Sequence, residues 1–281
     1  MSPTTQISFL GGGNMARAMI QGLLRDGFAA SQLRVGEPVA AQRAALEHEY
    51  SVTALADNHA VVVGADLVVL AVKPQQVPEL LSELAPTLTR RRPLLLSIAA
   101  GLRVADLAAL CPRLPIVRAM PNRAALVGAG ATALYATPAV DPAARALAAQ
   151  VCGATGVAVW VERESDLDIV TALSGSGPAY FFLLAEQLAT AAASQGLDSA
   201  TAQLLARQTL CGAGALLAGT MTLAEQREAV TSKGGTTAAA LAALQAGGFD
   251  KLVTAAVAAA THRSAELAAQ LGRPRNSSAP D

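Results

Sequence analysis

The stretch from Ile7 to Ala16, Ile-Ser-Phe-Leu-Gly-Gly-Gly-Asn-Met-Ala, constrains the fold more than any other part of the chain. Its apolar run Ile7–Leu10 predicts a short buried strand, and apolar residues at helical spacing follow the glycines. Gly11, Gly13 and Ala16 match the G-x-G-x-x-G/A spacing, which permits a tight turn, close approach of a pyrophosphate and packing of helix on strand. The helix N-terminus then offers unpaired N–H groups to phosphate. The stretch predicts a dinucleotide site, and the alternative is a glycine-rich turn without a ligand.

Length and composition limit the classes of protein that fit. A chain of 281 residues allows one large or two medium domains, and the alanine-rich hydrophobic content of 52% favours packed helices over a β-sandwich. The net charge of zero argues against nucleic acid as a partner. We expect no secretory signal, because the N-terminus lacks a basic region followed by an apolar run. We expect no membrane partner, because we find no run of roughly 20 strongly apolar residues.

Cysteines and histidines give no metal-binding or catalytic signature. The three cysteines are scattered, which indicates reduced thiols in the cytoplasm and neither disulfides nor a zinc site. They are Cys111, Cys152 and Cys211. The three histidines, His48, His59 and His262, are also scattered and are interpreted as surface residues.

Alternating patterns predict an α/β fold, a Rossmann-type doubly wound sheet followed by an all-α helical domain. The predicted strands are Ile7–Leu10, Gln32–Gly36, Ser51–Ala54, Ala65–Val72, Leu94–Ile98, Pro115–Ala119, Leu126–Tyr135 and Val157–Val161. After Glu162 only helices are predicted, including Asp166–Leu173 and a helix that Pro178 opens. We therefore expect a dinucleotide-binding domain over 1–161, a helical domain for dimerisation and substrate over 162–272, and a disordered tail over 273–281.

Residues that follow strands are expected to border the cofactor, because ligands lie beyond the carboxyl ends of strands in an open parallel sheet. Glu37 is placed to bind ribose hydroxyls, which favours NAD, whereas Arg43 is placed to meet a 2′-phosphate. Glu37 as a turn cap before Pro38, and Lys73 as a solvated loop residue, are the alternatives. The predicted cofactor-binding residues are Leu10, Gly11, Gly12, Gly13, Asn14, Met15, Glu37, Asn58, Ala71, Val72, Lys73, Pro74, Ala99 and Ala100.

A second glycine-containing turn, Thr231-Ser-Lys-Gly-Gly-Thr-Thr237, precedes a predicted helix. Gly234 and Gly235 expose backbone N–H groups, and Thr236 is able to cap or donate a hydrogen bond. Together with the helix dipole these groups form a seat for a small anion such as a carboxylate. An ordinary helix cap is the alternative.

The sequence resembles pyrroline-5-carboxylate reductases over most of its length. The most specific similarity is Ala229-Val-Thr-Ser-Lys-Gly-Gly-Thr-Thr237, which continues through Gly247-Gly-Phe249, and the next is Thr171-Ala-Leu-Ser-Gly-Ser-Gly-Pro-Ala-Tyr180. Further similar segments are Gly11–Ala16, Leu70–Gln75, Ser97–Gly101 and Arg118–Asn122.

Two departures from the family pattern stand out. Arg123-Ala124-Ala125 replaces the usual Thr-Pro-Ala, which loosens a turn and adds a cation beside the expected nicotinamide. Lys233 replaces a proline before the glycines and adds a positive charge near the expected carboxylate.

The resemblance implies an NAD(P)H-dependent imine reductase that makes L-proline from 1-pyrroline-5-carboxylate, the last step of proline biosynthesis. It implies NADPH as cofactor with NADH as an alternative, and a homodimer or a ring of dimers built through the helical domain. In such proteins the substrate site joins the Rossmann half of one subunit to helical loops, including loops of its partner. The resemblance places substrate on Ser232, Gly234, Gly235, Thr236 and Thr237, with Thr237 as the catalytic hydroxyl near the imine nitrogen.

Two other functions remain open at this point. A β-hydroxyacid or 6-phosphogluconate-type dehydrogenase also joins a Rossmann domain to helices, but it uses a catalytic lysine there, and the helical part of this chain has only Lys233 and Lys251. A non-catalytic dinucleotide-binding regulatory protein is the second alternative, which Arg123 and Ala124 favour.

Overall fold

The structure, a computed structural model, describes residues 5–271. Its strands are β1 (Ile7–Leu10), β2 (Leu33–Gly36), β3 (Thr53–Leu55), β4 (Leu67–Leu70), β5 (Leu94–Ser97), β6 (Ile116–Met120), β7 (Gly130–Ala136) and β8 (Gly156–Trp160). Its helices are α1 (Asn14–Arg25), α2 (Ala40–Tyr50), α3 (Asn58–Val62), α4 (Val77–Arg91), α5 (Val104–Leu110), α6 (Pro142–Gly153), α7 (Asp166–Val170), α8 (Gly177–Ser194), α9 (Ser199–Leu216), α10 (Leu223–Ala229), α11 (Thr236–Ala246) and α12 (Phe249–Leu271). The tail predicted over 273–281 lies outside the described residues.

All eight strands form one sheet in the order β3-β2-β1-β4-β5-β6-β7-β8. Neighbouring strands are parallel except β6 and β7, which pair antiparallel. The chain moves outward from β1 to β3 and then returns to place β4 on the other side of β1. This reversal creates a crevice at the carboxyl ends of β1 and β4, where doubly wound sheets bind ligands.

The two faces of the sheet carry two apolar cores, because successive side chains of a strand point to opposite faces. Ile7 and Phe9 of β1 pack with α1 residues such as Ile20 on one face. Leu10 packs on the other face with α4 residues such as Leu84. Continuous burial on both faces explains why the central strands are apolar runs rather than alternating patterns.

The structure corrects two predicted elements. The predicted strand Leu126–Tyr135 begins only at Gly130, because residues Arg123–Val127 form a 3₁₀ turn that ends at Gly128 with φ +71°. The predicted helix Asp166–Leu173 is α-helical only to Val170 and continues as a π-helical segment, Thr171–Gly175. The spacing of apolar residues does not indicate either change, because both changes concern backbone hydrogen bonds.

The chain divides into two compact units. One comprises the chain up to Gly175 together with the residues from Ala260 onward, and the other comprises Ser176–Ala259. The change of unit at Gly175 comes after the predicted domain boundary at Glu162. Among the described residues that follow Glu162, all regular structure is helical, as predicted.

Helix α8 carries the most conspicuous exposed apolar surface. The segment Asp166–Ser194 is long and apolar enough, by length and composition alone, to cross a membrane, so the expectation that the chain holds no such stretch is wrong by this test. The prediction missed it because alanines separate the larger apolar residues. The test is weak evidence for a membrane, since a helix of a soluble protein's core also passes it.

Two ion pairs attach helix α7 and the residues just before it to the sheet. Arg118 of β6, whose side chain is 7% exposed, lies 2.6 Å from Glu164, which also accepts a hydrogen bond from the Val104 backbone N–H at 2.7 Å. Arg103 pairs with Asp168 at 2.6 Å, and Ser264 of α12 donates to the other oxygen of Asp168 at 2.8 Å. This network joins β6, α5, α7 and the end of α12 within one compact unit.

Glu164→Gln is expected to lower the free energy of unfolding by about 2 kcal/mol, because it leaves the buried Arg118 guanidinium without its anion. Denaturant unfolding at a fixed protein concentration measures the change. Glu162→Gln is the matched control, since Glu162 is exposed, and it is expected to change stability by less than about 0.5 kcal/mol. Equal stabilities of the two variants would contradict this role of the ion pair.

Candidate functional site

A cavity of about 520 Å³ lies at the crevice beyond β1 and β4. It brings together eight of the predicted cofactor-binding residues, which come from the segments after four different strands, β1, β2, β3 and β4. They are Gly11, Gly12, Gly13, Glu37, Asn58, Ala71, Val72 and Lys73. The convergence supports the prediction that these loops share one ligand.

Gly11 makes the turn at the end of β1. Its φ is +102°, and a Cβ there would stand 2.9 Å from the carbonyl oxygen of Ala71. Hydrogen bonds from Gly11 N–H to Gly36 O (2.8 Å) and from Ala71 N–H to Leu10 O (2.9 Å) hold the three strand ends together. The turn therefore requires glycine both for its backbone angle and for the closeness of the neighbouring strand.

Helix α1 presents its N-terminus to the cavity. The Arg17 N–H makes a helical hydrogen bond, to Gly13 O at 3.0 Å, so the amides of the preceding residues in the first turn point out of the helix. The first turn contains no acidic residue, and a Cβ built on Gly13 meets nothing within 4 Å. Open space beside free amides fits the pyrophosphate of a dinucleotide.

Arg17 fixes the glycine turn from the helix side. Its Nε donates to Gly12 O at 3.1 Å, while its guanidinium also bonds Gln42 Oε1 at 2.8 Å and Glu49 Oε2 at 3.2 Å. Burial, reinforced by a hydrogen bond with Glu49, raises the pKa of the neighbouring Tyr50 to about 12. Arg17 thus braces the turn while its charge is paired with Glu49.

Glu37 stands directly after β2, beside the glycine turn. Its Oε2 accepts from Gly12 N–H at 3.2 Å, and its Oε1 accepts from Val39 N–H at 3.0 Å. Asn58, the first residue of α3, lies with its Oδ1 against Gly36, where any Cβ would collide with it. These contacts fix the carboxylate in the cavity and explain the glycine before it.

Six predicted cofactor residues do not line this cavity: Leu10, Asn14, Met15, Pro74, Ala99 and Ala100. Leu10 is fully buried in the core, and Ala99 is 6% exposed. Their proposed contacts stay predictions.

The structure adds seven cavity residues that sequence reasoning missed: Gly36, Pro38, Val39, Gln76, Glu79, Leu80 and Glu83. Glu79 and Glu83 are four residues apart on α4. Their spacing places them on one face of the helix, but it does not indicate which part of the fold that face meets.

The second glycine turn belongs to the other compact unit. Gly234 has φ +72°, and Gly235 packs so closely on the Ser232 side chain that a Cβ would collide with it. Ala239 N–H bonds Gly235 O at 3.2 Å as α11 begins, so the amides of Thr236 and Thr237 precede the helical ladder. The predicted substrate residues are thus neighbours around one helix N-terminus without an acidic first turn.

The turn that departs from the family pattern closes without its proline. Ala125 N–H bonds Asn122 O at 3.1 Å, and Asn122 Nδ2 donates to Ser174 O at 3.0 Å. Asn122 Oδ1 also accepts from Ala131 N–H at 3.0 Å. Arg123 is exposed. The backbone bond therefore closes this turn, and the side chain of Asn122 attaches it to Ser174 and Ala131.

Comparison with known proteins identifies relatives that match over most of the chain. Residues 164–267 match the model for pyrroline-5-carboxylate reductase dimerisation, and residues 6–101 match that for coenzyme F420-dependent NADP oxidoreductases. The chain is 45% identical to the pyrroline-5-carboxylate reductase of Pseudomonas aeruginosa over 96% of its own length and 99% of the relative's. The chain belongs to the pyrroline-5-carboxylate reductase family.

Other members of the pyrroline-5-carboxylate reductase family agree in sequence and in fold. The Haemophilus influenzae relative is 42% identical over 93% of this chain and 97% of its own length. The solved reductase of Coxiella burnetii is 38% identical with a TM-score of 0.90, covering 94% of this chain and 98% of that structure. The Plasmodium falciparum structure, solved with NADP bound, is 27% identical with a TM-score of 0.77, covering 95% of this chain and 99% of that structure.

Gly13→Ala is expected to leave the free energy of unfolding within about 0.5 kcal/mol, because φ is −70° and the new methyl group meets no atom. The affinity for a nicotinamide dinucleotide is expected to fall at least about tenfold, because the methyl group stands where the pyrophosphate approaches. Calorimetric titration measures this. Gly153→Ala, where the new methyl group is also unobstructed but lies at the end of α6, is the control. Equal dinucleotide affinities of the two variants would contradict the assignment of the glycine turn to the pyrophosphate.

Proposed function

We propose that this chain reduces 1-pyrroline-5-carboxylate to L-proline with NADPH or NADH, the last step of proline biosynthesis. The observation that carries the proposal is the 45% identity with a pyrroline-5-carboxylate reductase over 96% of the chain. The dehydrogenase alternative loses support, because that match extends through the helical part, where a dehydrogenase would need its own lysine motif.

The cofactor would occupy the cavity beyond β1 and β4. In this proposal the free amides at the start of α1 hold the pyrophosphate, and Glu37 faces the adenosine ribose. When bound, the reduced nicotinamide supplies the hydride. Ala99 and Ala100, which follow β5, are proposed to border the nicotinamide ring because they have no bulky side chains.

The turn before α11 is the proposed seat of the substrate carboxylate. The amides of Thr236 and Thr237, with the Ser232 hydroxyl, offer hydrogen bonds to one carboxylate at the positive end of a helix. The predicted Gly235 amide is instead engaged within the turn, because it donates to Ser232 O at 3.0 Å. Gly234, in a left-handed conformation, gives the chain the sharp turn that aims these groups. Lys233 adds a positive charge beside this seat.

The reaction depends more on the positioning of substrate and cofactor than on acid–base groups. The imine carbon gains a hydride, the π electrons of the C=N bond move to nitrogen, and nitrogen takes up a proton. The Thr237 hydroxyl is proposed to contact that nitrogen and to orient the ring for hydride transfer. A His or carboxylate pair is not required for this reaction.

The proposed assembly is a homodimer, or a ring of dimers, formed through the helical unit. An apolar groove of about 550 Å³ runs along α8, α9 and α10 and contains Leu184, Leu188 and Leu210. Phe181 and Phe182 beside it are 59% and 63% exposed. Apolar surface of this extent is typical of an interface between chains. The cytoplasmic location expected from the cysteines stays a prediction.

Thr237→Ala is expected to lower kcat/KM for 1-pyrroline-5-carboxylate about 100-fold with little change in dinucleotide affinity, because only the substrate contact is removed. Loss of the reduced nicotinamide absorbance, recorded with NADPH and again with NADH, measures turnover.

Thr231→Ala is the matched control for Thr237→Ala, because its hydroxyl is already bonded to Arg227 O at 2.6 Å in the same turn. It is expected to retain activity within about threefold. Absence of turnover in the wild-type protein, with either cofactor bound, would favour the non-catalytic alternative and overturn the proposal.

Leu188→Glu is expected to convert the proposed dimer to monomers at micromolar concentration, because it places a charge in the apolar groove. Sedimentation velocity measures the assembly. Val63→Glu is the control, since Val63 is 49% exposed in the other compact unit. A wild-type protein that sediments as a monomer would contradict the proposed assembly.

A further inference from the structure

We propose that Glu37 selects between the two nicotinamide dinucleotides, and that it makes this chain prefer NADH to NADPH. The inference rests on the proposed function, because it needs the cavity to hold such a cofactor. NADPH differs from NADH only by a phosphate in place of the 2′-hydroxyl on the adenosine ribose. The groups beside that position therefore decide the preference.

The Glu37 carboxylate is held ready to accept hydroxyl donors. Each of its oxygens receives one backbone hydrogen bond, from Gly12 N–H and from Val39 N–H. A carboxylate has about four lone-pair sites, so two remain for the ribose hydroxyls. The side chain cannot turn away from an incoming phosphate without losing both backbone bonds.

The charges that line the cavity also oppose a phosphate. Three described lining residues are carboxylates, Glu37, Glu79 and Glu83, whereas Lys73 is the one cation among them. Lys73 follows β4, and Glu37 follows β2 on the far side of β1. Two strand spacings place their backbones roughly 10 Å apart, so Lys73 does not neutralise the carboxylate at the ribose.

Two arginines that bond the backbone around Glu37 and the glycine turn are already engaged. Arg43 Nη1 donates to Glu37 O and to Pro38 O, both at 2.8 Å. Arg17 bonds the Gly12 carbonyl, Gln42 and Glu49. Neither arginine is among the described residues that line the cavity. Arg43, which the sequence left as the competing 2′-phosphate contact, instead braces the backbone that carries Glu37.

The test is calorimetric titration of the full chain with NADH and with NADPH. The wild-type protein is expected to bind NADH at least about tenfold more tightly, because a carboxylate and a phosphate a few ångströms apart repel each other. Glu37→Gln keeps the volume of the side chain and removes its charge. It is expected to narrow the ratio of the two dissociation constants at least about fivefold, mainly through tighter NADPH binding.

Two control variants separate this role from others. Glu83→Gln removes one charge from the same cavity and is expected to change the ratio less than about twofold, because Glu83 lies on α4 rather than beside the ribose. Arg43→Gln is expected to leave the ratio similarly unchanged. Thermal unfolding of each variant checks that the fold is intact.

Three results would overturn the inference. The first is that the wild-type chain binds NADPH as tightly as NADH or more tightly. The second is that Glu37→Gln leaves the ratio of the two dissociation constants unchanged. The third is that Arg43→Gln selectively loses affinity for NADPH, which would assign the 2′-phosphate to Arg43. If the wild-type chain prefers NADPH and still reduces 1-pyrroline-5-carboxylate, the proposed preference for NADH is wrong but the proposed function stands. Absence of binding by both dinucleotides would overturn the proposed function and this inference together.

Discussion

The approach of the Gly11 backbone to the Ala71 carbonyl is the contact on which the site depends. A Cβ on Gly11 would stand 2.9 Å from that oxygen, so the ends of β1 and β4 come together only because the side chain is absent. Their closeness brings the loops after both strands to one cavity and aims α1 at it. The sheet order supplies the crevice, and this one glycine lets the backbone lie at its edge.

Each compact unit contains a helix that begins directly after a glycine and has no acidic residue in its first turn. Helix α1 follows Gly13, and helix α11 follows Gly235. A helix that begins this way keeps its first amides and its positive end for an anion from outside. One such end fits a pyrophosphate, and the other is proposed to hold a carboxylate.

Much of the fold was predictable because the central strands are apolar on both faces. β1 was predicted at its observed bounds, Ile7–Leu10. Periodicity did not reveal that β7 runs antiparallel, since side-chain alternation is the same in both directions. Nor did it reveal the π-helical segment after Val170, whose hydrogen bonding depends on its surroundings in the fold.

Site residues could be predicted where their position depends on neighbours in the sequence, and they could not where it depends on the packing of distant segments. The glycine turn and Glu37 stand at fixed offsets from β1, so spacing found them. Glu79 and Glu83 reach the cavity only because α4 packs beside β4, which sequence spacing does not encode. The role of Arg43 depended in the same way on which carbonyls its guanidinium meets.

The end of α12 lies against the loop that follows β5. Gly101 has φ +81°, and a Cβ there would stand 2.7 Å from Leu271 Cδ1, with Ala268 also near. The loop beside the proposed nicotinamide position is thus packed by the last turn of α12. Loss of the last turn of α12 would expose this loop to water, so we expect a truncation that reaches Leu271 to disturb the proposed nicotinamide position although it lies far away in the sequence.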